Sequence, residues 1–254
     1  MHVKNKSPRI SIITIVLNNR LFLEHTVRSV NAQIFDNYEY IIIDGGSTDG
    51  TIEFLKNSKV GIDRWVSESD KGIYDAMNKG AKLAKGEWLI FLNAGDRFAS
   101  PEVLSNIFKS DHLDAHDFIF GNWFTCNLLK SPNYLIPGKA NYERGFILHQ
   151  SVIYRKKLHE TYGYYLVTPK LIISDYIFFL SIPKKRTFHF DGPISINDNT
   201  GISTAPWSYK QKLAIDFVFG RLTAFRMLLL FVKFYIPRFD RYIINKLSGI
   251  LGRD

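Results

Sequence analysis

The stretch ISIITIVL, Ile10–Leu17, decides the fold. It is a mostly β-branched run of strand length with no polar and apolar alternation, the pattern of a parallel strand buried on both faces. Moving outward, Asn18 and Asn19 suit a helix N-cap, and residues 20–33 place Leu23, Val27 and Val30 close to helical spacing. YEYIIID, Tyr38–Asp44, reads as a second buried strand. The alternation continues with a short helix over 51–56, a strand over 62–67, a helix over 74–84 closed by Gly86, and a strand over 88–92. Strand and helix repeated in this way imply an α/β protein built on a doubly wound sheet.

Past Asn93 the regularity loosens. A helix is expected over 101–109 and a strand over 118–120, then a loop-rich, aromatic stretch, a strand over 151–154 and a helix over 174–180. Pro206 marks the expected boundary between a domain of residues 1–205, divided at about 121/122, and a basic helical tail of residues 206–254.

The 254 residues are 46% hydrophobic, enough to bury one sizeable core and cramped for two. Cys126 is the sole cysteine. That excludes an internal disulfide framework, and with no zinc-type Cys and His spacing a reducing cytoplasm is the expected compartment; Cys126 itself reads as inert packing. The N-terminus has no apolar stretch of signal-peptide length, so export is not expected. The formal net charge is +9, and nine Lys or Arg against three Asp in residues 205–254 hold +6 of it. Such an excess suits nucleic acid or an anionic membrane, and the tail's apolar content argues against nucleic acid.

In open α/β sheets ligands bind beyond the carboxyl ends of the strands. Here those ends are acidic and glycine-rich: Thr14–Asn19, Asp44–Gly50, Glu68–Gly72 and Asn93–Asp96. Singly, each suits ordinary turn or cap chemistry. Four carboxylate-bearing loops on one rim point instead to a nucleotide and metal site, since clustered like charges need a cation or hydrogen-bonding ligand. A dinucleotide-binding enzyme would carry G-x-G-x-x-G after the first strand, where this chain has TIVLNN, and a P-loop is absent. Phosphates must then be neutralised another way, and a divalent ion held by a carboxylate such as Asp96, with help from Lys71, is the candidate.

The stretches Ile43–Thr51, Ser67–Gly80, Phe91–Asp96, His149-Gln150 and Ser174-Asp175-Tyr176 resemble, in order and spacing, the family 2 glycosyltransferases of bacterial capsule, colanic-acid and lipopolysaccharide gene clusters. The resemblance covers roughly residues 8–205. It implies a GT-A fold, a nucleotide-diphospho-sugar donor, an inverting mechanism, a glycan or polyprenyl-linked acceptor, and Mg²⁺ or Mn²⁺ as cofactor. It implies Thr14 and Asp44 near the nucleobase, with Gly46, Asp70, Lys71, Asp75, Asn78, Asn93 and His149 along the rest of the donor. Asp96 would hold the metal and Asp175 would be the catalytic base. The family's metal motif commonly pairs two carboxylates, and this chain has Asn93 and Gly95 where a partner often stands.

Ser174 or Asp175 also suits the cap of the helix that follows, a role compatible with catalysis, and His149 also suits a hydrogen-bonded structural role. Trp123, Tyr134, Tyr142, Phe146, Tyr164 and Tyr165 lie in the part expected to face the acceptor, where flat rings stack on sugars, some of them belonging to the core. The loop 199–204 is similar to the family's Gly-x-Ser closing segment. In the tail, Asp216, Arg221, Arg226 and Lys233 interrupt the apolar run of residues 213–236, so a helix in the membrane interface or a helix packed on the domain is expected rather than a span. Two rivals are a sugar nucleotidyltransferase, which would want a Gly- and Arg-rich loop after the first strand, and a non-catalytic scaffold, against which Asp44, Asp96 and Asp175 speak.

Overall fold

A computed structural model describes residues 7–58, 61–109, 111–199 and 206–235. Ile10–Val16 forms β1, buried at every position, and hydrogen-bonds in parallel with both β2 (Tyr38–Asp44) and β4 (Trp88–Phe91). β3 (Arg64–Ser67) pairs in parallel with β2. The sheet then turns mixed through β5 (Arg97–Phe98), β6 (Phe118–Asn127), β7 (Ser131–Gly138), β8 (Val152–Arg155) and β9 (Thr187–Asp198), in the order β3-β2-β1-β4-β8-β6-β9-β5 with β7 beside β6. Strand order reverses between β1 and β4, so a crevice opens at their carboxyl ends.

The period of the sequence explains the layers. Alternate side chains of β1 and β2 enter opposite faces: Ile13, Ile15, Ile41 and Ile43 join one apolar cluster, and Ile10, Ile12, Tyr40 and Ile42 the other. α1 (Arg20–Asn31) covers the second face through Leu23, Val27 and Val30, and α3 (Ile73–Leu83) covers the first through Ala76, Met77 and Ala81. α3 lies so close that a Cβ at Gly80 would stand 2.5 Å from Ile13 Cγ2, so glycine is required there by space alone. The remaining helices of this unit are α2 (Thr51–Asn57), α4 (Val103–Phe108), α5 (Leu158–Tyr162) and α6 (Ser174–Leu180).

Two expectations are revised. Asn19 stands at the N-cap of α1 as expected but makes no side-chain capping bond; the Arg20 amide donates to Asp49 Oδ2 at 2.9 Å, while Asn18, at φ 49°, accepts from the Thr48 amide at 2.7 Å. The stretch after residue 120 is not mainly loop: β6 runs on to Asn127 and turns into β7, whose residues are almost all exposed. β9, twelve residues long, pairs in parallel with β6.

The chain divides into two compact units, residues 1–201 and 202–254. Within the second, α7 (Pro206–Val218) and α8 (Ala224–Tyr235) are joined by a turn at Gly220, where Lys212 and Arg221 pair with Asp216. On α8, Phe225, Arg226 and Leu228 are exposed. Among the described residues no helix is long and apolar enough to cross a membrane. Residues 200–204 of the similarity to a closing segment, and 236–254 of the tail, lie outside the described residues.

Candidate active site

The β1–β3 end of the rim is built from carboxylates that serve their own loops. Asp44, the last residue of β2, is fully buried. Its Oδ2 accepts from Gly46 N (3.2 Å), Ser47 N (3.0 Å) and Ser67 Oγ (2.6 Å), and its Oδ1 accepts from Ser47 Oγ. These bonds hold the turn that Gly46 enters at φ 86°. Thr14 is also fully buried, with its hydroxyl 2.9 Å from that of Tyr40. Thr14 and Asp44, the pair expected beside a nucleobase, are thus both held in place by hydrogen bonds within the protein.

On the β3–α3 loop the organising cation is Lys79, not Lys71. Lys79 Nζ donates to Ser69 O (3.1 Å) and pairs with Asp70, Glu68 (2.9 Å) and, more distantly, Asp75 (3.7 Å). Lys71 is exposed, and its amide donates to Asp75 Oδ2 at 3.0 Å. Burial pushes the Asp70 carboxyl above its ordinary range despite Lys79. Asn78 is a strut: its side chain holds both backbone groups of Tyr165, at 2.9 and 3.0 Å.

The β4 end is different. Asp96 follows the turn after β4 and is 4% exposed. It accepts from Asn93 N (3.1 Å), Gln150 Nε2 (3.1 Å) and Asp198 N (3.2 Å), all neutral donors. Burial pushes its carboxyl up to about 6, against the pull of His149 and these bonds. Next to Gln150, His149 turns the other way. Asn93 Nδ2 lies 3.1 Å from His149 Nε2, and on the other side of the ring His149 Nδ1 lies 3.2 Å from Asp175 Oδ2. One dipeptide, His149-Gln150, thus bridges the two aspartates.

Asp175 sits in the first turn of α6, whose N-cap is Ile173 without a side-chain capping bond. Neither Ser174 nor Asp175 is that cap: Ser174 Oγ accepts from Leu166 N at 2.5 Å. Asp175 Oδ1 accepts from Tyr74 Oη at 2.7 Å, and its side chain keeps 16% exposure. Burial opposes its charged form, but the bonds from His149 and Tyr74 outweigh burial and hold the carboxyl below its ordinary value. Asp175 is therefore an ionised, oriented carboxylate that solvent can still reach.

A divalent ion finds a restricted donor set. Among the described residues no three His, Cys, Asp or Glu side chains stand together as a ligand group. Asp96 is a buried carboxylate short of positive partners, and Asn93 Oδ1 is buried and accepts no hydrogen bond. Two oxygens of this kind fit a hard cation that takes its other ligands from phosphate and water.

Of the aromatic residues expected at the acceptor, Tyr142 and Tyr165 are core: Tyr142 Oη donates to Phe179 O and Ile182 O, and Tyr165 is 3% exposed. Tyr134, Phe146 and Tyr164 are exposed, and Trp123 is partly so. Cys126 is buried, as its packing role requires. Sequence reasoning gave no role to Tyr74, although it stands inside the Ser67–Gly80 stretch, or to Asp198, which no local signal distinguishes.

The comparisons with known proteins agree with this architecture. A PGL/p-HBAD biosynthesis glycosyltransferase of Mycobacterium bovis is 32% identical over 168 residues, 63% of this chain and 64% of its own length. The chain spans 38% to 64% of the length of the mycobacterial relatives it matches. Among solved structures, Staphylococcus aureus TarS 1–349 in complex with UDP-GlcNAc superposes with a TM-score of 0.64 at 17% identity, over 89% of this chain and 71% of that one. The mannosyltransferase PcManGT from Pyrobaculum calidifontis, in complex with GDP-Man and Mn²⁺, superposes with a TM-score of 0.61 at 15% identity, over 82% of this chain and 62% of that one. At such identities these two likenesses speak for the fold, which is GT-A. The description Glycosyl transferase family 2 matches residues 11–171, well over half of the sequence, and the chain belongs to that family.

Proposed function

We propose that this chain is an inverting glycosyltransferase that moves a sugar from a nucleotide diphosphate to a glycan or polyprenyl-linked acceptor, in the building of a bacterial surface polysaccharide. The observation that carries the reading is the bridge from Asp96 through Gln150 and His149 to Asp175. A buried carboxylate short of cations at one end of this bridge and an ionised one at the other support a diphosphate side at Asp96 and an acceptor side at Asp175. Asp175 takes the proton of the acceptor hydroxyl as that oxygen bonds to the anomeric carbon, and the bond from the anomeric carbon to the diphosphate breaks on the opposite face. Mg²⁺ or Mn²⁺ would be held through Asp96 and Asn93 Oδ1 together with the diphosphate, and would supply Lewis-acid stabilisation of the departing charge. Ionised Asp175 supports the base assignment, because a carboxyl protonated at neutral pH has no capacity to accept the proton.

The rival nucleotidyltransferase reading finds no Gly- and Arg-rich loop after β1, and a non-catalytic scaffold leaves the oriented Asp175 without a purpose. Exposed Phe225, Arg226 and Leu228 on α8 favour a peripheral place at the inner face of an anionic membrane. Deleting residues 206–254 should abolish sedimentation with phosphatidylglycerol liposomes, and undiminished sedimentation contradicts the membrane role.

The test of the enzymatic reading is a panel of UDP- and GDP-sugars screened for thermal stabilisation with Mg²⁺ or Mn²⁺. At least one should raise the melting temperature in the presence of metal, and the Asp96→Ala variant should lose mainly the metal-dependent part. A flat response across the panel overturns the reading.

A further inference from the structure

The Asp175 carboxylate is held at both oxygens, and its two holders come from different places. His149 belongs to a 3-10 turn, His149–Ser151, at the β8 entrance. Tyr74 belongs to the first turn of α3, 101 residues before Asp175 in sequence. The loop that leads into α3 carries Asp70 and Lys71, and Asp75 follows Tyr74 directly. α3 thus touches the donor side of the rim at its start and the base at its first aromatic residue.

Two further contacts make this a bracket rather than a single bond. One turn on, Asn78 clamps the backbone N–H and C=O of Tyr165, and the Tyr165 ring lies 5.7 Å from that of Tyr74. Leu166 N then donates to Ser174 Oγ, beside Asp175. α3 therefore fixes the start of α6 through the Tyr74 hydroxyl and through residues 165–166. Tyr74 is 7% exposed, and burial with Asp175 alongside pushes its hydroxyl far up, so it remains a donor at all working pH. Removing only that oxygen leaves the Asn78 clamp and the ring contacts in place.

We infer that Tyr74 is a positioning residue of the transfer reaction: its hydroxyl orients the Asp175 carboxylate toward the acceptor and ties the base to the helix that follows the donor-side loop. This rests on the reading of Asp175 as base. The alternative for a buried Tyr with a partner is packing with a satisfied hydroxyl. The two differ in what the hydroxyl does to Asp175. A bond donated to a carboxylate favours its charged form, so losing it raises the Asp175 pKa. The other groups facing Asp175 are His149 from the 3-10 turn, Tyr154 from β8 and Tyr165, and all three remain in Tyr74→Phe.

The experiment compares wild type, Tyr74→Phe, Tyr165→Phe and Asp175→Asn in full-length protein. Carboxyl ¹³C shifts of labelled Asp residues are followed against pH, and initial rates are measured with the nucleotide sugar that stabilises the protein most. In Tyr74→Phe the Asp175 titration and the acid limb of the rate profile should both move to higher pH, with kcat down at least tenfold and KM for the donor within about twofold. Tyr165→Phe, which removes the bond to Tyr154 but not one to Asp175, should leave the Asp175 titration where it is. An unmoved Asp175 titration in Tyr74→Phe, or a rate loss matched by an equal rise in KM, overturns the positioning role. Near-normal turnover in Asp175→Asn overturns the base reading instead, so the two failures are distinguishable.

Discussion

The two ends of the acidic rim contrast in how their carboxylates are used. At the β2–β3 end, Asp44 accepts four hydrogen bonds from its own and the neighbouring loop, and Lys79 gathers Glu68, Asp70 and Asp75 around one ammonium. At the β4–α6 end, Asp96 is buried among neutral donors, Asn93 Oδ1 accepts nothing, and Asp175 keeps solvent access between two donors. The first end spends its charge on loop shape. The second holds charge in a state that a ligand can change. Acidity at a strand terminus is therefore not by itself a mark of chemistry, since loop shape alone can engage it.

The largest effect expected of this contrast lies at the saturated end. Asp44→Ala strands the amides of Gly46 and Ser47 and the hydroxyls of Ser47 and Ser67, and at about 1–3 kcal/mol for each buried donor left unpaired it should cost about 3–5 kcal/mol after relaxation. Urea unfolding reads this as a fall in midpoint, and a loss below about 1 kcal/mol breaks the distinction between the two ends.

The next effect is a pH dependence with opposite signs in two buried groups. Asp96 has its folded pKa raised to about 6, so its contribution to stability is greatest at low pH and is lost as pH rises from its unfolded value near 4 through 6, by up to about 3 kcal/mol. His159 is 3% exposed, in the aromatic cluster beneath α6, and burial lowers its pKa to about 4. Its contribution is full above its unfolded pKa near 6.5 and is lost as pH falls toward 4, again by up to about 3 kcal/mol. The two limbs partly cancel in the wild type. Asp96→Asn should unmask the His159 limb as a monotonic fall in stability from pH 7 to 4, and a variant whose pH profile superposes on the wild type contradicts the strained state of Asp96.

The smallest effect separates two lysines. Lys79→Ala should cost about 2 kcal/mol, from partly buried charge-assisted bonds, whereas Lys71→Ala should change stability by less than about 0.5 kcal/mol. Equal losses at the two positions erase the difference drawn between them.

What the sequence made legible follows the same division. β1, β2 and β4 were readable because strands buried on both faces must be continuously apolar, and the α1 and α3 stripes must match them. β7 escaped because SPNYLIPG carries two prolines and is exposed along nearly its whole length, so it has neither the apolar run nor the alternation of an ordinary strand. β9 escaped because Gly192 and Pro193 interrupt it, at the point where its register against β6 shifts. Asp96, His149 and Asp175 were named from the sequence. Their joining through Gln150 and Tyr74 spans 54 and 101 residues, and no local pattern carries a contact of that range. The bond at the start of α1 was out of reach for a related reason: Asp49 supplies it from the loop after β2, 29 residues away, although Asn19 holds the N-cap position.

The most direct test of the account is turnover of Asp175→Asn at saturating donor, set beside its donor Kd. If Asp175 is the base that Tyr74 and His149 hold ready, transfer should fall about a thousandfold while donor Kd stays within about threefold. Turnover near that of the wild type, or a loss explained by weaker donor binding, contradicts it.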